Sequence, residues 1–141
     1  MAFLFDTDAI SELLRPRPLQ PYVEWLKAIP RDAQFTSAAT VGELFEGAFR
    51  SAAKERHLIN IEERVLPAVT ILPFDLPTAR VFGMIRAELE GDGDILPDAD
   101  LQIAATAIFH DLELVTGNIR HFQRIPNLRL NPILAGSRAP H

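Results

Sequence analysis

Short apolar runs that stop abruptly, each followed by a stretch with helical spacing, recur along the whole of this 141-residue chain. The first is Ala2-Phe3-Leu4-Phe5, which ends at Asp6. Apolar residues at 9, 10, 13 and 14 then fit one helical face, until Arg15-Pro16-Arg17-Pro18 breaks it. Tyr22, Val23, Trp25, Leu26 and Ile29 suggest a second helix, closed by Pro30. The run 33–37 reads as a strand, with a long helix from about Ala38 carrying Val41, Leu44, Phe45, Ala48 and Phe49 on one face. Apolar positions 58, 61, 65 and 66 fit a further helix ending near Pro67, and 70–74 is the next strand candidate. Pro77 suits an early helical position before the stripe Val81, Phe82, Ile85 and Leu89, which ends at Gly91. A loop over 91–98, a small-residue helix over 99–110 and a strand over 112–116 follow. Gly117 marks a turn, 128–130 is a last strand, and a loose tail is expected from Pro132. Strands that alternate with helices in this way predict an α/β three-layer sandwich with a central, mostly parallel sheet flanked by helices. The expected domain is 1–131, with 132–141 as the tail.

Composition narrows the chemistry. The chain has no cysteine, so disulfides, thiolate metal sites and a cysteine nucleophile are excluded. That fits a reducing cytoplasm. The opening MAFLFDTDAI has an acid at position 6 and no basic segment, so no signal peptide is expected. No run is long and apolar enough to suggest a membrane helix, and no membrane partner is expected. A net charge of −5 argues against electrostatic coating of nucleic acid. It leaves room for an enzyme that meets phosphate through a cation held in an acidic site. Of the 14 basic residues only Lys27 and Lys54 are lysines.

In a parallel α/β sheet, ligands sit beyond the carboxyl ends of the strands. Polar residues at those ends are the ones to weigh. Asp6 ends the first strand, and Thr116, Gly117 and Asn118 end the fourth. Asp98 and Asp100 open the 99–110 helix, while Glu43 lies on the first turns of the helix after the second strand. Carboxylates brought together repel unless protonated or bridged by a cation. Oxygen donors without histidine or cysteine suit Mg²⁺ or Mn²⁺. Each acid also has a plain structural reading, since aspartate caps helices and acids suit helix N-termini.

The segments LFDTDAISELLRP, TSAATVGELFEGA, DADLQIAATA and LVTGNIRHF, with a weaker match at Leu130-Asn131-Pro132, occur in the order found in one family. The chain resembles a PIN-domain ribonuclease and, within that family, a VapC-type toxin of a toxin–antitoxin pair. The resemblance implies a PIN-like fold and hydrolysis of RNA phosphodiester bonds by a Mg²⁺- or Mn²⁺-dependent endoribonuclease. It also implies a homodimer and a small antitoxin that covers the site. Asp6, Glu43 and Asp100 become the catalytic, metal-binding acids, with Asp100 preferred to Asp98 because it stands three residues before IAATA. Thr116 and Asn118 match a fourth site position, where relatives often carry an acid at the place of Asn118 or of His121. Neither is acidic here. Asp8 replaces the asparagine usual in the family's DTN. Asp8, Asp98 and Arg86 are therefore secondary candidates, and Arg15 and Arg120 join Arg86 as candidates for RNA or partner contact. His121 reads either as a proton donor or as a loop residue packed beside Phe122.

Two rivals use the same residues. Asp6-Thr7-Asp8 mimics the nucleophile motif of a haloacid-dehalogenase-like phosphatase, and Gly91-Asp92-Gly93-Asp94 mimics its late metal loop. That loop, however, follows the charged stretch 86–90 where an apolar strand is required. A non-catalytic PIN-like binding module is the other, favoured slightly by the absent fourth acid and opposed by the intact Asp6, Glu43 and Asp100.

Overall fold

A computed structural model describes residues 1–139. Five strands form one sheet in the order β3-β2-β1-β4-β5, and every neighbouring pair is parallel. The strands are β1 (Phe3–Phe5), β2 (Gln34–Ser37), β3 (Thr70–Leu72), β4 (Glu113–Val115) and β5 (Leu130–Asn131). Helices α1 (Thr7–Leu13), α2 (Gln20–Lys27), α3 (Ala38–Arg50) and α4 (Lys54–Asn60) lie in the first half of the chain. Helices α5 (Leu76–Gly91), α6 (Asp98–Phe109), α7 (Ile119–Phe122) and α8 (Ile133–Arg138) lie in the second. No helix among the described residues is long and apolar enough to cross a membrane.

Side chains alternate across a strand, so each strand feeds both faces of the sheet. Leu4 and Leu114 pack with Ile85, Leu89, Leu101, Ile103 and Ala104 on one face. Phe3, Phe5 and Val115 pack with Ile10, Tyr22, Leu44 and Leu134 on the other. The small residues of α6 serve this arrangement, since Ala104, Ala105 and Ala107 are all fully buried and let the helix approach closely. Phe5 registers with Thr36 on one side and Val115 on the other. The next residues, Asp6, Ser37 and Thr116, therefore sit level at the carboxyl edge of the three central strands.

One local expectation is corrected and one is extended. The stretch after Pro132 is not loose through residue 138. It forms α8, which packs beside α2 and buries Leu134 completely. Burying one leucine contributes about 1.5–3 kcal/mol, enough to seat a six-residue helix that has little propensity of its own. The rest of the expected tail, beyond residue 139, lies outside the described residues. The turn at Gly117 also leads straight into a short helix, α7, where the sequence suggests only a turn. The 91–98 loop follows helix α5 and not a strand, and its Asp94 pairs with Arg124 at 3.6 Å. That removes the geometry a dehalogenase-like phosphatase needs.

Candidate active site at the carboxyl edge of the sheet

A cavity of about 570 Å³ opens where β1 and β4 end and α1 and α6 begin. Asp6, Thr7, Asp8, Glu43, Asp100, Gly117, Asn118 and Arg138 are among its lining residues. Asp6 is the most buried of the lining acids, at 4% exposure. Its backbone N–H extends the sheet by donating to the Val115 carbonyl (3.2 Å), which fixes where the side chain emerges. Its Oδ1 accepts the Ala9 N–H at 2.8 Å, so it also caps α1. Burial pushes its carboxyl up to about 7 from the ordinary 3.8. Hydrogen bonds from the Thr116 side chain and the Ala9 N–H oppose the rise, while the neighbouring Asp8 and Asp100 charges add to it. The structural and chemical readings of Asp6 thus coexist: it is a cap, and it is held as an unusually weak acid.

Glu43, half-buried on α3, is aimed by Thr7, whose hydroxyl donates to Oε1 at 2.6 Å. Asp100, also half-buried, lies in the first turn of α6 and is held by His121 at 2.7 Å. Arg124 donates to Nδ1 of that imidazole at 3.2 Å. Nδ1 therefore carries the lone pair, and Nε2–H donates to Asp100. His121 also stacks edge-on against Phe122 with ring centroids 5.4 Å apart. The packing expected for His121 is present, but its contact with Asp100 is a second role that a local reading misses. Thr116 is fully buried; its oxygen accepts the Asn118 N–H at 3.0 Å. Asn118 itself is exposed at the cavity wall.

The secondary candidates divide. Asp8 lines the cavity, tied to Arg138. Asp98 and Arg86 do not line it; they pair with each other, and the Arg86 guanidinium sits 5.4 Å from the Phe82 ring centroid. Asp98 and Asp100 are two residues apart on a helix, about 200° around its axis, so only one of them can face the cavity. Arg15 reaches Glu12 at 3.5 Å and lines a separate groove with Arg56 and Arg64. Arg120 lies exposed on α7.

Two further residues escaped the sequence reading. Glu12, on α1, is 1% exposed and accepts from Arg138 (3.0 Å) and from the Leu19 N–H (3.1 Å). Its signal was its place beside Ala9, Ile10 and Leu13, where a charged residue needs a buried partner. Arg138 arrives from the other end of the chain, and nothing local marks it. Its hydrogen bond to Asp8, then that to Glu12, holds it protonated more firmly than an ordinary arginine.

Among the described residues no three acids or histidines stand close enough together to ligate one ion directly. The acids line one cavity without meeting at a point. Their chemistry still fits a hard, oxygen-seeking divalent cation that keeps part of its water shell. The buried Asp6 near Asp8 and Asp100 would gain most from its charge.

Comparison with known proteins agrees with this architecture. The PIN domain family matches residues 3–128. The chain is 38% identical over 124 residues to Toxin FitB of Neisseria gonorrhoeae, covering 84% of this chain and 89% of that protein. It is 35% identical over 131 residues to Ribonuclease VapC2 of Haemophilus influenzae, covering 92% and 96%. The crystal structure of VapBC2 from Rickettsia felis, bound to a DNA fragment from their promoter, superposes with a TM-score of 0.86. It is 30% identical, and the match covers 93% of this chain and 98% of that one. The chain belongs to the PIN domain family, and its relatives within it include VapC-type ribonucleases and toxins.

Proposed function

We propose that this protein is a Mg²⁺- or Mn²⁺-dependent endoribonuclease acting in the cytoplasm as the toxin of a toxin–antitoxin pair. The observation that carries the reading is the buried Asp6, held beside β4 in one cavity with Glu43 and Asp100. The ribonuclease and toxin names of relatives matched over 89% and 96% of their length support it. In this reading Asp6, Glu43 and Asp100 hold the cation, directly or through its waters. A bound divalent cation supplies Lewis-acid polarisation of the phosphodiester and of an attacking water.

The protein's own part is positioning. The Ala9 N–H and Thr116 fix Asp6, the Thr7 hydroxyl orients Glu43, and His121 orients Asp100. Such supporting contacts keep ligands in the productive orientation. Asn118 stands at the cavity wall with an amide that can accept from or donate to RNA or water. A homodimer is the assembly we assign to the free toxin.

An unchecked nuclease needs an inhibitor, and an acidic cavity invites an arginine from the antitoxin in place of the cation's charge. Co-expression with a short neighbouring reading frame tests this. The small partner should copurify, and its C-terminal segment should block cleavage. Freed of it, the protein with Mg²⁺ or Mn²⁺ should cut cellular RNA and leave small phosphoesters intact. Release of phosphate from p-nitrophenyl phosphate with no cut in RNA would overturn the nuclease reading. A complex in which the partner leaves the cavity open would overturn occlusion.

A further inference from the structure

The acids in and behind the cavity fall into two sets. Asp6, Glu43 and Asp100 make no ion pair with any arginine or lysine among the described residues. Asp8 and Glu12, one turn apart on α1, share the guanidinium of Arg138. Nη1 donates to Asp8 Oδ2 at 2.7 Å, and Nη2 donates to Asp8 Oδ1 and Glu12 Oε1, both at 3.0 Å. The grip on Asp8 is bidentate, the geometry that only arginine provides. Arg138 is the last residue of α8, and the buried Leu134 anchors that helix. Gly117 completes the cradle. A Cβ built there would fall on the Arg138 guanidinium and the Asp8 carboxylate, so any side chain at 117 forces the ends of these two side chains to shift.

We propose that Arg138 is a positioning residue that takes Asp8 out of the cation-binding set. Asp8 is the carboxylate on which the C-terminal helix docks, and the cation is left to Asp6, Glu43 and Asp100. The inference rests on the metal-dependent reading above. It makes the C-terminal helix, 130 positions from Asp8 in sequence, a determinant of the site's affinity for cations.

Calorimetric titration of Mn²⁺ into the apo full chain tests it, with circular dichroism to check folding. Asp8→Asn should leave the affinity within about threefold of wild type, because Asp8 is not a ligand. Arg138→Gln should tighten Mn²⁺ binding roughly tenfold by releasing Asp8 into the cavity, and by less than about threefold when Asp8 is already asparagine. Gly117→Ala alters no charge but sets a methyl against both Arg138 Nη1 and Asp8 Oδ2, which parts that pair. It should therefore tighten binding as Arg138→Gln does, and it carries the test if that variant fails to fold. The proposal is overturned if Asp8→Asn weakens binding as much as Asp6→Asn. It is also overturned if Arg138→Gln has the same effect with and without Asp8, or if Gly117→Ala leaves affinity unchanged or weaker. No Mn²⁺ binding by any protein, wild type included, overturns the metal reading itself, and this inference with it.

Discussion

Replacing Asp6, Glu43 or Asp100 by its amide should cut RNA cleavage by on the order of 100-fold or more, with the fold intact. An amide keeps the shape of the carboxylate but loses its charge. Asn at position 6 can still cap α1 through Ala9, and Gln at position 43 can still accept from Thr7. The loss would therefore report on charge in the cavity and not on architecture. Residues that serve one cation act as a unit, so their effects should not multiply. The double variant Asp6→Asn with Asp100→Asn should be little worse than either single one. Rates of cleavage of a labelled RNA, measured at saturating Mg²⁺, check this. Full activity in Asp100→Asn would remove Asp100 from the site. Asp98→Asn serves as the contrast: its carboxylate pairs with Arg86 away from the cavity, and its loss should leave the rate nearly unchanged.

The second large effect is on stability. Asp6 holds its proton in the fold up to about pH 7, against 3.8 in an ordinary aspartate. Between those values the folded chain binds more protons than the unfolded one. Stability of the apo protein should therefore fall as pH rises from about 4 to about 7, and level off above. For a group this buried, the whole window is worth on the order of 4 kcal/mol. Asp6→Asn cannot titrate, so its stability should be flatter across that window. At pH 7 the apo variant should melt roughly 8–16 °C above the apo wild type. Mg²⁺ or Mn²⁺ binds the ionised form and should raise the wild-type melting temperature by mass action, and the variant's much less. Scanning fluorimetry from pH 4 to pH 8, with and without cation, reads all four curves. A wild type whose apo stability is level over that range, together with an apo variant that melts no higher at pH 7, would show that Asp6 carries no raised carboxyl and matters only as a cap.

Much of this layout is written locally in the chain. Phe3-Leu4-Phe5 and Leu114-Val115 are apolar runs too short for helices, and they became the central strands. An acid or hydroxyl directly after such a run must lie at the sheet's edge, which is why Asp6 and Thr116 were legible as site residues. Asp98 and Asp100 could not be separated by local pattern, since both suit a helix N-terminus; only the packing of α6 decides which one faces inward. Helix α8 was illegible for a different reason. Its sequence ILAGSR contains glycine and serine and shows no apolar stripe, and one buried leucine plus the distant ion pairs of Arg138 with Asp8 and Glu12 hold it in place. Contacts such as Arg138–Asp8 and His121–Asp100 exist only because the fold brings remote segments together, so they leave no trace in spacing. The buried Glu12 is the instructive intermediate case. Its pattern says that a partner must exist, and only the structure says which.

The most direct measurement of the central claim is anomalous scattering from a crystal of the protein soaked in Mn²⁺. The expected result is a peak in the cavity, within direct or single-water reach of Asp6, Glu43 and Asp100, and absent from an Asp6→Asn crystal soaked in the same way. An empty cavity at saturating Mn²⁺, in protein that still cuts RNA, would contradict the account.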